Sequence, residues 1–557
     1  MGKIRDENGD LMLDEESNLK AWKKHFESLF VKSEAVNDTE VLFESNSTAS
    51  TIDDKNEISM DEIMKVLKSM KKGKAAGDDS ITAEMLGAGE GVVASWLFLL
   101  FNRCWRSGEV PAAWQRATIV PLFKGKGSQQ EAKNYRGISL LSVVGKLYAK
   151  VLVERVMNET NDKIWDVQAG FRRGMGCMDQ VFSLRCITEK LLEKHQKVFC
   201  TFIDLEKAYD RVERDELWNV LFKLGLESQL IRALKSLYQG SKACVRVNGE
   251  CTNWIDIFRG VRQGCVASPW LFNLFMDDCL KDLRETECGI KLGEVTIKCL
   301  LYADDQVILA SSACEMQQMV NIMNSSLESK GMKVNVEKTK VMVFEREEEM
   351  TDCAIEIKGA KVEQVKEFVY LGSLFTRDGK CEKDIERRVN KGNAVNGAIN
   401  GLMSSKMMTK QARMAIHGAV LVPTLMYGSE CWVWQTKDKS RVNAVEMRSL
   451  RDICGVKLCE RVKNVDIRER CGLKEDVVCK VEKGMLRWFG HLERMNEDRV
   501  TKQIYSSRIE GCKGKGRPRR TFLDQIGDVL VKAAVKSGKN KRQCMKRIMN
   551  VEEAREV

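Results

Sequence analysis

Hydrophobic residues near the start of the chain recur at helical spacing behind a clear N-terminal cap. Ser59 and Glu62 form a capping box, in which each side chain can bond the other residue's main-chain N–H. Apolar side chains then recur every three or four residues, at Ile63, Val66, Leu67 and Met70. The pattern predicts an amphipathic helix that ends before the polar segment 71–73. A second helix is predicted near residues 82–86, after a turn rich in Gly and Asp.

Short apolar, β-branched runs begin at about residue 117, and longer stretches with helical periodicity alternate with them. Strands are predicted at 117–123, 198–203, 297–301, 307–309, 341–344 and 368–371. Helices are predicted at 215–224, 269–283 and 316–330. This irregular mixture favours an α+β domain over a regular doubly wound sheet. Beyond residue 372 the strand signal fades, and a new, mostly helical unit is expected to begin at about residue 448.

Two adjacent carboxylates stand at the centre of the most informative segment, residues 298–309. Apolar residues flank Asp304 and Asp305 on both sides, which predicts a β-hairpin with both aspartates at its turn. An Asp pair alone is weak evidence, because turns are rich in Asp. A second apolar strand, 198–203, ends at Asp204. Three carboxylates brought together need a cation such as Mg²⁺, and a two-metal site of this kind is typical of phosphoryl transfer.

The composition is that of a globular protein. The chain has 557 residues, of which 43% are hydrophobic and 31% charged, and it contains 5 prolines. At about 150 residues per domain, this length predicts roughly three to four domains. The polar first ten residues lack the apolar run of a secretory signal, and the longest apolar stretch, near 91–101, falls short of the roughly 20 residues that span a bilayer. We therefore expect neither secretion nor membrane insertion.

The 20 cysteines and 4 histidines predict neither a disulfide framework nor catalysis by a histidine cluster. The cysteines are scattered without a C-x-x-C pair in a chain with no export signal, so free thiols are expected. One group leaves a structural metal open, although its spacings fit no common zinc pattern: Cys454, Cys459, Cys471 and Cys479, with His491 downstream. Any catalysis is therefore expected to depend on carboxylates.

The net charge of +11 is unevenly distributed. Residues 1–60 carry about 7 basic and 14 acidic side chains, whereas residues 501–557 carry about 15 basic and 6 acidic ones. A polyanion is the natural partner of such a basic end, and a solvated tail that only aids solubility is the alternative.

Three motifs resemble the palm motifs of reverse transcriptases and stand in the order of that family. They are F-I-D-L-E-K-A-Y-D at 202–210, R-Q-G-C-V-A-S-P-W-L-F-N at 262–273 and Y-A-D-D at 302–305. Further segments resemble blocks of non-long-terminal-repeat retrotransposons, the long interspersed elements: N-Y-R-G-I-S-L-L at 134–141, A-G-F-R-R-G at 169–174, G-M-K-V-N-V-E-K-T-K at 331–340 and Y-L-G-S at 370–373. The resemblance covers residues 59–373, with weaker family-like stretches at 426–432 and 488–495.

The resemblance implies a right-hand polymerase of the α+β class. Its parts are expected at 1–90 for an N-terminal helical extension, 91–197 for the fingers, 198–376 for the palm, 377–448 for a helical thumb and 449–557 for a helical, basic C-terminal region. The palm is expected to be an antiparallel sheet with packed helices, within a reverse transcriptase domain at about 110–376. The implied activity is RNA-directed DNA polymerisation from an RNA template, a DNA primer and dNTP, in the nucleus or the cytoplasm.

The resemblance also assigns roles around the metal site. Asp204 and Asp304 are expected to bind both of two Mg²⁺ (or Mn²⁺) ions, Asp305 to assist, and the main-chain carbonyl of Leu205 to take one coordination position. Lys338 is expected to protonate the leaving pyrophosphate, and a solvated loop lysine is the equal alternative.

The incoming nucleotide has its own predicted residues. Lys124 and Arg136, on the expected fingers, carry cationic ends that suit a triphosphate, although each reads equally well as a surface charge. Tyr209 resembles the aromatic gate that excludes a ribose 2′-hydroxyl, and a core aromatic is its alternative. Gln263 and Gly264 match the segment that packs against nucleotide and template, where Gly permits close main-chain approach.

Two further sets of residues are assigned to nucleic acid. The resemblance places the primer grip at Tyr370, Leu371, Gly372 and Ser373, followed by a thumb that grips the duplex through its backbone. The basic run 514–520 suits phosphates or an A·T-rich minor groove, chiefly through Arg517, Arg519 and Arg520. A nuclear localisation signal is an equally fair interpretation of that run.

The sequence departs from the family pattern at two positions and in its extent. Gly137 stands where the family usually has Pro, and Ala267 where it usually has Leu. Gly137 is expected to loosen the fingers, and Ala267 to shorten one apolar contact. Complete elements also carry an endonuclease, and too few residues precede position 59 to hold one. We therefore expect a chain that polymerises DNA without nicking its target.

Two other functions compete with polymerisation. A catalytically idle nucleic-acid-binding product of a degenerate element is the main alternative, and the intact Asp204, Asp304 and Asp305 argue against it. The particular residues of the fingers motifs argue against a relative of maturases or telomerases.

Overall fold

A computed structural model describes residues 2–31, 56–405, 407–509 and 519–537. In chain order the helices are α1 Glu15–Phe30, α2 Met60–Lys68, α3 Ala83–Ala88, α4 Glu90–Ser107, α5 Ala112–Gln115, α6 Val143–Thr160, α7 Cys177–Glu193, α8 Ala208–Arg211, α9 Arg214–Lys223, α10 Ser228–Tyr238, α11 Ser268–Cys279, α12 Lys281–Glu285, α13 Ala313–Ser329, α14 Glu382–Met403, α15 Lys410–Ile416, α16 Val422–Met426, α17 Thr436–Cys454, α18 Asn464–Arg470, α19 Val477–Arg494, α20 Val500–Ser506 and α21 Phe522–Ser537.

The strands are shorter than most of the helices. They are β1 Arg116–Phe123, β2 Tyr135–Leu141, β3 Val198–Ile203, β4 Lys242–Val247, β5 Glu250–Cys251, β6 Ile255–Asp256, β7 Ile290–Leu292, β8 Val295–Ile297, β9 Cys299–Tyr302, β10 Asp305–Ala310, β11 Lys340–Phe344, β12 Glu356–Ile357, β13 Ala360–Lys361, β14 Glu363–Gln364, β15 Glu367–Tyr370 and β16 Ser373–Thr376. The predicted α+β class is confirmed. In the described part of the chain, no helix is both long and apolar enough to cross a bilayer.

The chain divides into two compact units, each built from segments that are distant in sequence. The first unit contains residues 1–165, 205–285 and 322–334. The second contains residues 166–204, 286–321 and 335–557, and α13 contributes to both. The five-part division into extension, fingers, palm, thumb and C-terminal region stays a prediction. α17 runs without a break through Arg448, where the sequence predicted that a new unit begins.

A five-stranded sheet organises the first unit. Its order is β2-β1-β4-β5, with β6 also paired to β4; β1 is antiparallel to β2 and parallel to β4. Helix α1 buries Trp22, Phe26 and Phe30 in the core that this sheet forms. The capping box at Ser59 is present, and α2 begins at the next residue, as predicted.

A second five-stranded sheet, in the order β14-β11-β3-β10-β9, organises the second unit. Its four longer strands pair antiparallel, as expected of the palm, whereas β14 joins β11 in parallel over two residue pairs. The hairpin β12–β13 lies between β11 and β14 in the chain. Strand β3 is buried along its whole length.

One of the helix predictions needs a correction. The segment 269–283 was expected to be a single helix, but α11 ends at Cys279 and α12 begins at Lys281. Leu280, between them, donates its main-chain N–H to two carbonyls of the last turn of α11, at Met276 and Asp277. Its fully buried apolar side chain made the break invisible to a periodicity argument.

Candidate active site

The two adjacent aspartates lie at a hairpin turn, as the sequence predicted. Strands β9 and β10 pair antiparallel, and Tyr302 faces Asp305 at the end of the ladder. Ala303 and Asp304 therefore form the connection. Ala303 has φ +56°, in the left-handed region that residues with a side chain seldom occupy. Such conformations are concentrated at functional turns, where the surrounding structure holds them in place.

Asp204 follows the central strand β3 of the same sheet. Ile203 is paired with Gln306 of β10. Asp204 follows Ile203 and Asp305 precedes Gln306, so the two aspartates lie at the same end of these antiparallel strands. Its main chain is fixed on both sides: the N–H donates to Thr339 Oγ1 at 3.3 Å, and the carbonyl accepts from the N–H of Asn335 at 2.8 Å. Sheet register thus brings Asp204 to the hairpin turn.

The three carboxylates interact electrostatically with one another. The pKa of Asp305 is raised from 3.8 to about 6, chiefly by loss of hydration and also by the negative charges of Asp304 and Asp204. Asp305 is nevertheless accessible at its surface, as is Asp304. The site therefore concentrates negative charge where a cation can reach it.

The residues present fit a divalent cation. Asp204 Oδ2 is enclosed, and no described residue gives it a hydrogen bond. The described residues contain no group of three His, Cys, Asp or Glu side chains that would hold a metal by itself. Mg²⁺ is commonly held by one or two carboxylates, with water and substrate phosphates completing its shell. An incomplete carboxylate set fits that mode of binding.

Lys338 lies beside these carboxylates. Its Nζ is 3.6 Å from Asp204 Oδ2, and its side chain is 69% exposed. The distance is that of an ion pair without a hydrogen bond. The proton-donor role predicted for Lys338 stays a prediction, and so does the carbonyl ligand at Leu205, a buried residue that pairs with Val334 in an isolated bridge.

Lys124 and Arg136, the predicted triphosphate ligands, belong to the first unit. Arg136 stands opposite Leu122 in the β1–β2 ladder, and Lys124 directly follows β1. Both side chains are exposed, and Lys124 Nζ donates to the carbonyl of Lys133 at 2.9 Å. Both also act electrostatically on Asp210, so the two cations lie in one region of this unit.

Asp210, in the same unit, is a candidate that the sequence interpretation passed over. Burial raises its pKa to about 6, although Lys207, Lys124 and Arg136 favour the charged form. Gln263 Nε2 donates to Asp210 Oδ1 at 3.3 Å. Asp210 is the last residue of the motif F-I-D-L-E-K-A-Y-D, and that position could have indicated a functional carboxylate.

Tyr209 and Gly264 also have defined packing within the first unit. The Tyr209 ring stacks on Phe272, with centroids 4.4 Å apart and planes at 12°. Gly264 has φ +113°, and a Cβ added there would lie 2.7 Å from the carbonyl oxygen of Ser139. The close approach that Gly264 permits is thus to β2, and Ser139 also donates its N–H to the carbonyl of Gln263.

The predicted primer grip is the turn of the hairpin β15–β16. Leu371 and Gly372 form the turn at positive φ, and Tyr427 donates its hydroxyl hydrogen to the carbonyl of Leu371 at 2.7 Å. Arg387 donates to the Gly372 carbonyl at 2.8 Å, and Arg388 contacts the same oxygen. Helix α14 therefore fixes this turn. The outer positions of the segment, Tyr370 and Ser373, are buried.

The structure describes only part of the basic C-terminal run. Arg517 lies outside the described residues. Arg519 donates to the carbonyl of Asp378 at 2.6 Å, and Arg520 forms an ion pair with Asp528. The flanking helices are part of the core: α20 buries Ile504, and α21 buries Phe522, Ile526, Val529 and Leu530. The region around the run is therefore not a detached tail.

The two departures from the family pattern both lie at packed positions. A Cβ added at Gly137 would lie 2.7 Å from the Phe26 ring and 2.9 Å from Ile119, so Gly137 admits helix α1 to the sheet. The expectation that Gly137 loosens this segment stays a prediction. Ala267 is fully buried and accepts the first main-chain hydrogen bond of α11, from Leu271.

The C-terminal cysteines form a pair within the described residues. Cys454 and Cys471 approach to 3.2 Å between their sulfur atoms, while Cys459 is exposed. The two cysteines join the end of α17 to the end of α18.

Comparison with known proteins agrees with this geometry. Residues 124–375 match the family described as reverse transcriptase (RNA-dependent DNA polymerase). The chain is 24% identical over 428 residues to the RNA-directed DNA polymerase from mobile element jockey of Drosophila funebris, covering 75% of this chain and 46% of that protein. It is 26% identical over 472 residues to the probable RNA-directed DNA polymerase from transposon BS of Drosophila melanogaster, covering 81% and 51%.

A likeness to solved structures is weaker. Apo telomerase from Candida tropicalis aligns with a TM-score of 0.34 and 14% identity, over 51% of this chain and 59% of that one. The chain spans about half the length of the retrotransposon relatives named above. The matched residues 124–375 contain Asp204 and the aspartate hairpin. Residues 124–375 thus match the reverse transcriptase family, and the chain is similar to RNA-directed DNA polymerases of mobile elements.

Proposed function

We propose that this protein is an RNA-directed DNA polymerase that transfers nucleotides from dNTP to the 3′-hydroxyl of a primer on an RNA template. The observation that carries the proposal is the convergence of Asp204, Asp304 and Asp305 at one end of the sheet of the second unit, inside the residues that match the reverse transcriptase family. Divalent metal dependence follows from that family.

The metal chemistry is assigned to these carboxylates. We propose two Mg²⁺ ions, which when bound lower the pKa of the attacking hydroxyl and neutralise charge on the leaving pyrophosphate. Asp204 and Asp304 would hold both ions, with Asp305 and the carbonyl of Leu205 assisting. The raised pKa of Asp305 supports this assignment, because repulsion among the carboxylates favours any cation that they can share.

Lys338 has a role that its position supports. Its ammonium lies 3.6 Å from Asp204 and is largely exposed, so it can exchange that partner for a phosphate oxygen. We propose that it donates a proton to the leaving pyrophosphate, which lowers the charge that the leaving group must carry.

The nucleotide is assigned to residues of the first unit. Lys124 and Arg136 would bind the triphosphate, since both cationic ends are exposed. Gln263 and Gly264 would adjoin the nucleotide and template, and Tyr209 would exclude ribose. The stacking of Tyr209 on Phe272 supports the last role, because a ring held by a neighbour is a firm steric barrier.

Contacts with the template and primer are assigned to the second unit. Residues 370–373 would hold the primer terminus, and Arg517, Arg519 and Arg520 would contact phosphates. We take the partners to be an RNA template and a DNA primer, and the compartment to be the nucleus or the cytoplasm.

Primer extension tests the proposal. The full chain is incubated with a labelled DNA primer annealed to RNA, dNTP and Mg²⁺, and the products are resolved by length. The proposal predicts extension to the end of the template and none when Mg²⁺ is chelated. Absence of extension with Mg²⁺ and with Mn²⁺ would contradict it.

The same samples distinguish the polymerase from the alternative, a catalytically idle nucleic-acid-binding protein. Affinity for the primer–template is measured by fluorescence anisotropy beside the extension rate. Tight binding without extension would favour the idle protein, whereas binding with extension favours the polymerase.

A further inference from the structure

A buried glutamine holds the main chain of the turn that carries Asp304. Gln168 is 2% exposed. Its Oε1 accepts hydrogen bonds from the N–H of Ala303 at 2.9 Å and from the N–H of Gly170 at 2.8 Å. Ala303 immediately precedes Asp304, so one amide oxygen ties the aspartate turn to the A-G-F-R-R-G segment.

The turn needs such a restraint. Ala303 has φ +56°, and a residue with a side chain keeps that conformation only where its surroundings impose it. The N–H bond to Gln168 is one restraint. Close packing is another, since a Cβ added at Gly170 would collide with the main-chain nitrogen of Ala303.

The segment that carries Gln168 is itself fixed to strand β9. Leu301 donates its N–H to the Val167 carbonyl at 3.1 Å, and its carbonyl accepts from the N–H of Ala169 at 2.9 Å. Gln180, on α7, donates from Nε2 to the carbonyls of Val167 and Leu301, at 2.7 and 3.0 Å. Its side chain is 4% exposed. Two buried amides thus connect α7, residues 167–170 and β9.

We propose that Gln168 is a positioning residue for the carboxylate site: by holding the N–H of Ala303, it sets where the Asp304 carboxylate meets a divalent cation. This inference rests on the proposed function, because it takes the site to be one that binds metal. Nothing in the sequence motifs assigns this role to the glutamine, since the A-G-F-R-R-G resemblance begins one residue after it.

Gln168→Met tests the inference, because it keeps the length of the side chain and removes the acceptor. Gln525→Met is its matched control: Gln525 is also fully buried in the second unit, and neither polar atom of its side chain has a partner among the described residues. Gly170→Ala disturbs the same turn and keeps the glutamine, since its added Cβ would collide with the Ala303 nitrogen and lie 2.9 Å from Gln168 Oε1. Gly484→Ala, on α19, is the control for that change, since its added Cβ would meet nothing within 4 Å.

Two readouts are taken on the full chain. The first is the dissociation constant for Mn²⁺ alone, from the electron paramagnetic resonance signal of the free ion. The second is the split between kcat and KM for primer–template in extension. A residue that orients a metal ligand typically changes metal affinity or activity by about 10–100-fold when it is removed.

We expect Gln168→Met and Gly170→Ala each to raise the Mn²⁺ dissociation constant at least tenfold and to lower kcat, with KM for primer–template unchanged. Both controls should match the wild type. Mn²⁺ affinity and kcat at wild-type levels in Gln168→Met would overturn the inference, as would a wild-type chain that binds no Mn²⁺. If Gln168→Met has a lowered melting temperature, its Mn²⁺ dissociation constant is measured at a temperature where the variant is fully folded, and that value decides.

The two proposals fail separately. A wild-type chain that binds Mn²⁺ but extends no primer refutes the polymerase, and the Mn²⁺ comparison still decides the role of Gln168. A wild-type chain that binds Mn²⁺ and extends primers, with both properties unchanged in Gln168→Met, refutes the positioning role alone.

Discussion

Single side chains decide what the proposed site can accept. Asp204, Asp304 and Asp305 concentrate negative charge, and their positions are set by main-chain hydrogen bonds. The sequence could predict these acids because each stands at the end of an apolar run. It could not predict Gln168, because a lone glutamine beside a motif carries no sign of which main-chain groups its amide will meet.

Tyr209 tests sugar selection. Its ring is stacked on Phe272 and would occupy the volume that a ribose hydroxyl needs. Tyr209→Ala should therefore raise ribonucleotide use relative to deoxyribonucleotide use by at least tenfold, while Tyr209→Phe keeps the ring and should match the wild type. The measurement is the ratio of kcat/KM for the two sugars. An unchanged ratio in Tyr209→Ala would show that the ring only packs.

Asp210 tests the pH dependence of stability. Its folded pKa is raised from 3.8 to about 6, chiefly by burial. Between these pH values the unfolded chain loses the proton while the folded chain keeps it, so the wild type loses stability as the pH rises through this window. Asp210→Asn does not titrate.

The free energy of unfolding of Asp210→Asn, relative to that of the wild type, should therefore increase by about 1–2 kcal/mol between about pH 4 and pH 6. Above pH 6 the difference should stay constant. Urea midpoints at intervals across this range provide the measurement. A difference that is independent of pH, or that grows toward acid, would show that burial does not hold the proton on Asp210.

At the scale of elements, hairpins and short strands place the functional groups. Apolar flanks predicted β10 correctly within its bounds, and strand β3 was predicted at its observed residues. The break between α11 and α12 was missed, because a buried Leu280 continues the apolar pattern across it. The packing of Phe26 against Gly137 was not predicted either, since sequence alone does not show which side chain lies there.

Gly372 tests the hairpin proposed as the primer grip. It has φ +81°, and a Cβ there would lie 3.1 Å from the Tyr427 ring. Gly372→Ala should lower stability by about 1–2 kcal/mol and also weaken retention of the primer terminus. Gly359→Ala is a control with the same strain, at φ +74° in the β12–β13 turn, and with nothing within 4 Å.

Both variants should lose stability, but only Gly372→Ala should shorten the products made in a single binding event. The length distribution of those products under a heparin trap is the measurement. Equal product lengths in the two variants would remove this turn from primer binding.

For the whole molecule, we expect charge to govern the proposed affinity for nucleic acid. The excess of basic residues beyond position 500 was evident from the sequence, but the packing of the helices in this region was not. Helices α20 and α21 are packed into the hydrophobic core, so removing residues 501–557 would unfold part of the second unit and test nothing about charge. A count of charges does not show which apolar residues of a basic segment are buried in the core.

Neutralising three arginines is the cleaner test. Changing Arg517, Arg519 and Arg520 to Gln should weaken primer–template binding and reduce the slope of log K against log salt by about one for each phosphate that the chain no longer neutralises. The same change at Arg103, Arg106 and Arg232, which are exposed in the first unit, controls for net charge. Equal slopes for the two triple variants would show that the basic run binds no phosphate of its own.

Asp304 is proposed to be a metal ligand in DNA synthesis on RNA. The most direct measurement is the single-turnover rate of dNTP addition to a primer on an RNA template with Mg²⁺, for the wild type, Asp304→Asn and the exposed control Asp498→Asn. The account predicts addition by the wild type and the control, and a rate several orders of magnitude lower for Asp304→Asn at unchanged melting temperature, because the amide removes the ligand's charge. Addition by Asp304→Asn at the wild-type rate would contradict it.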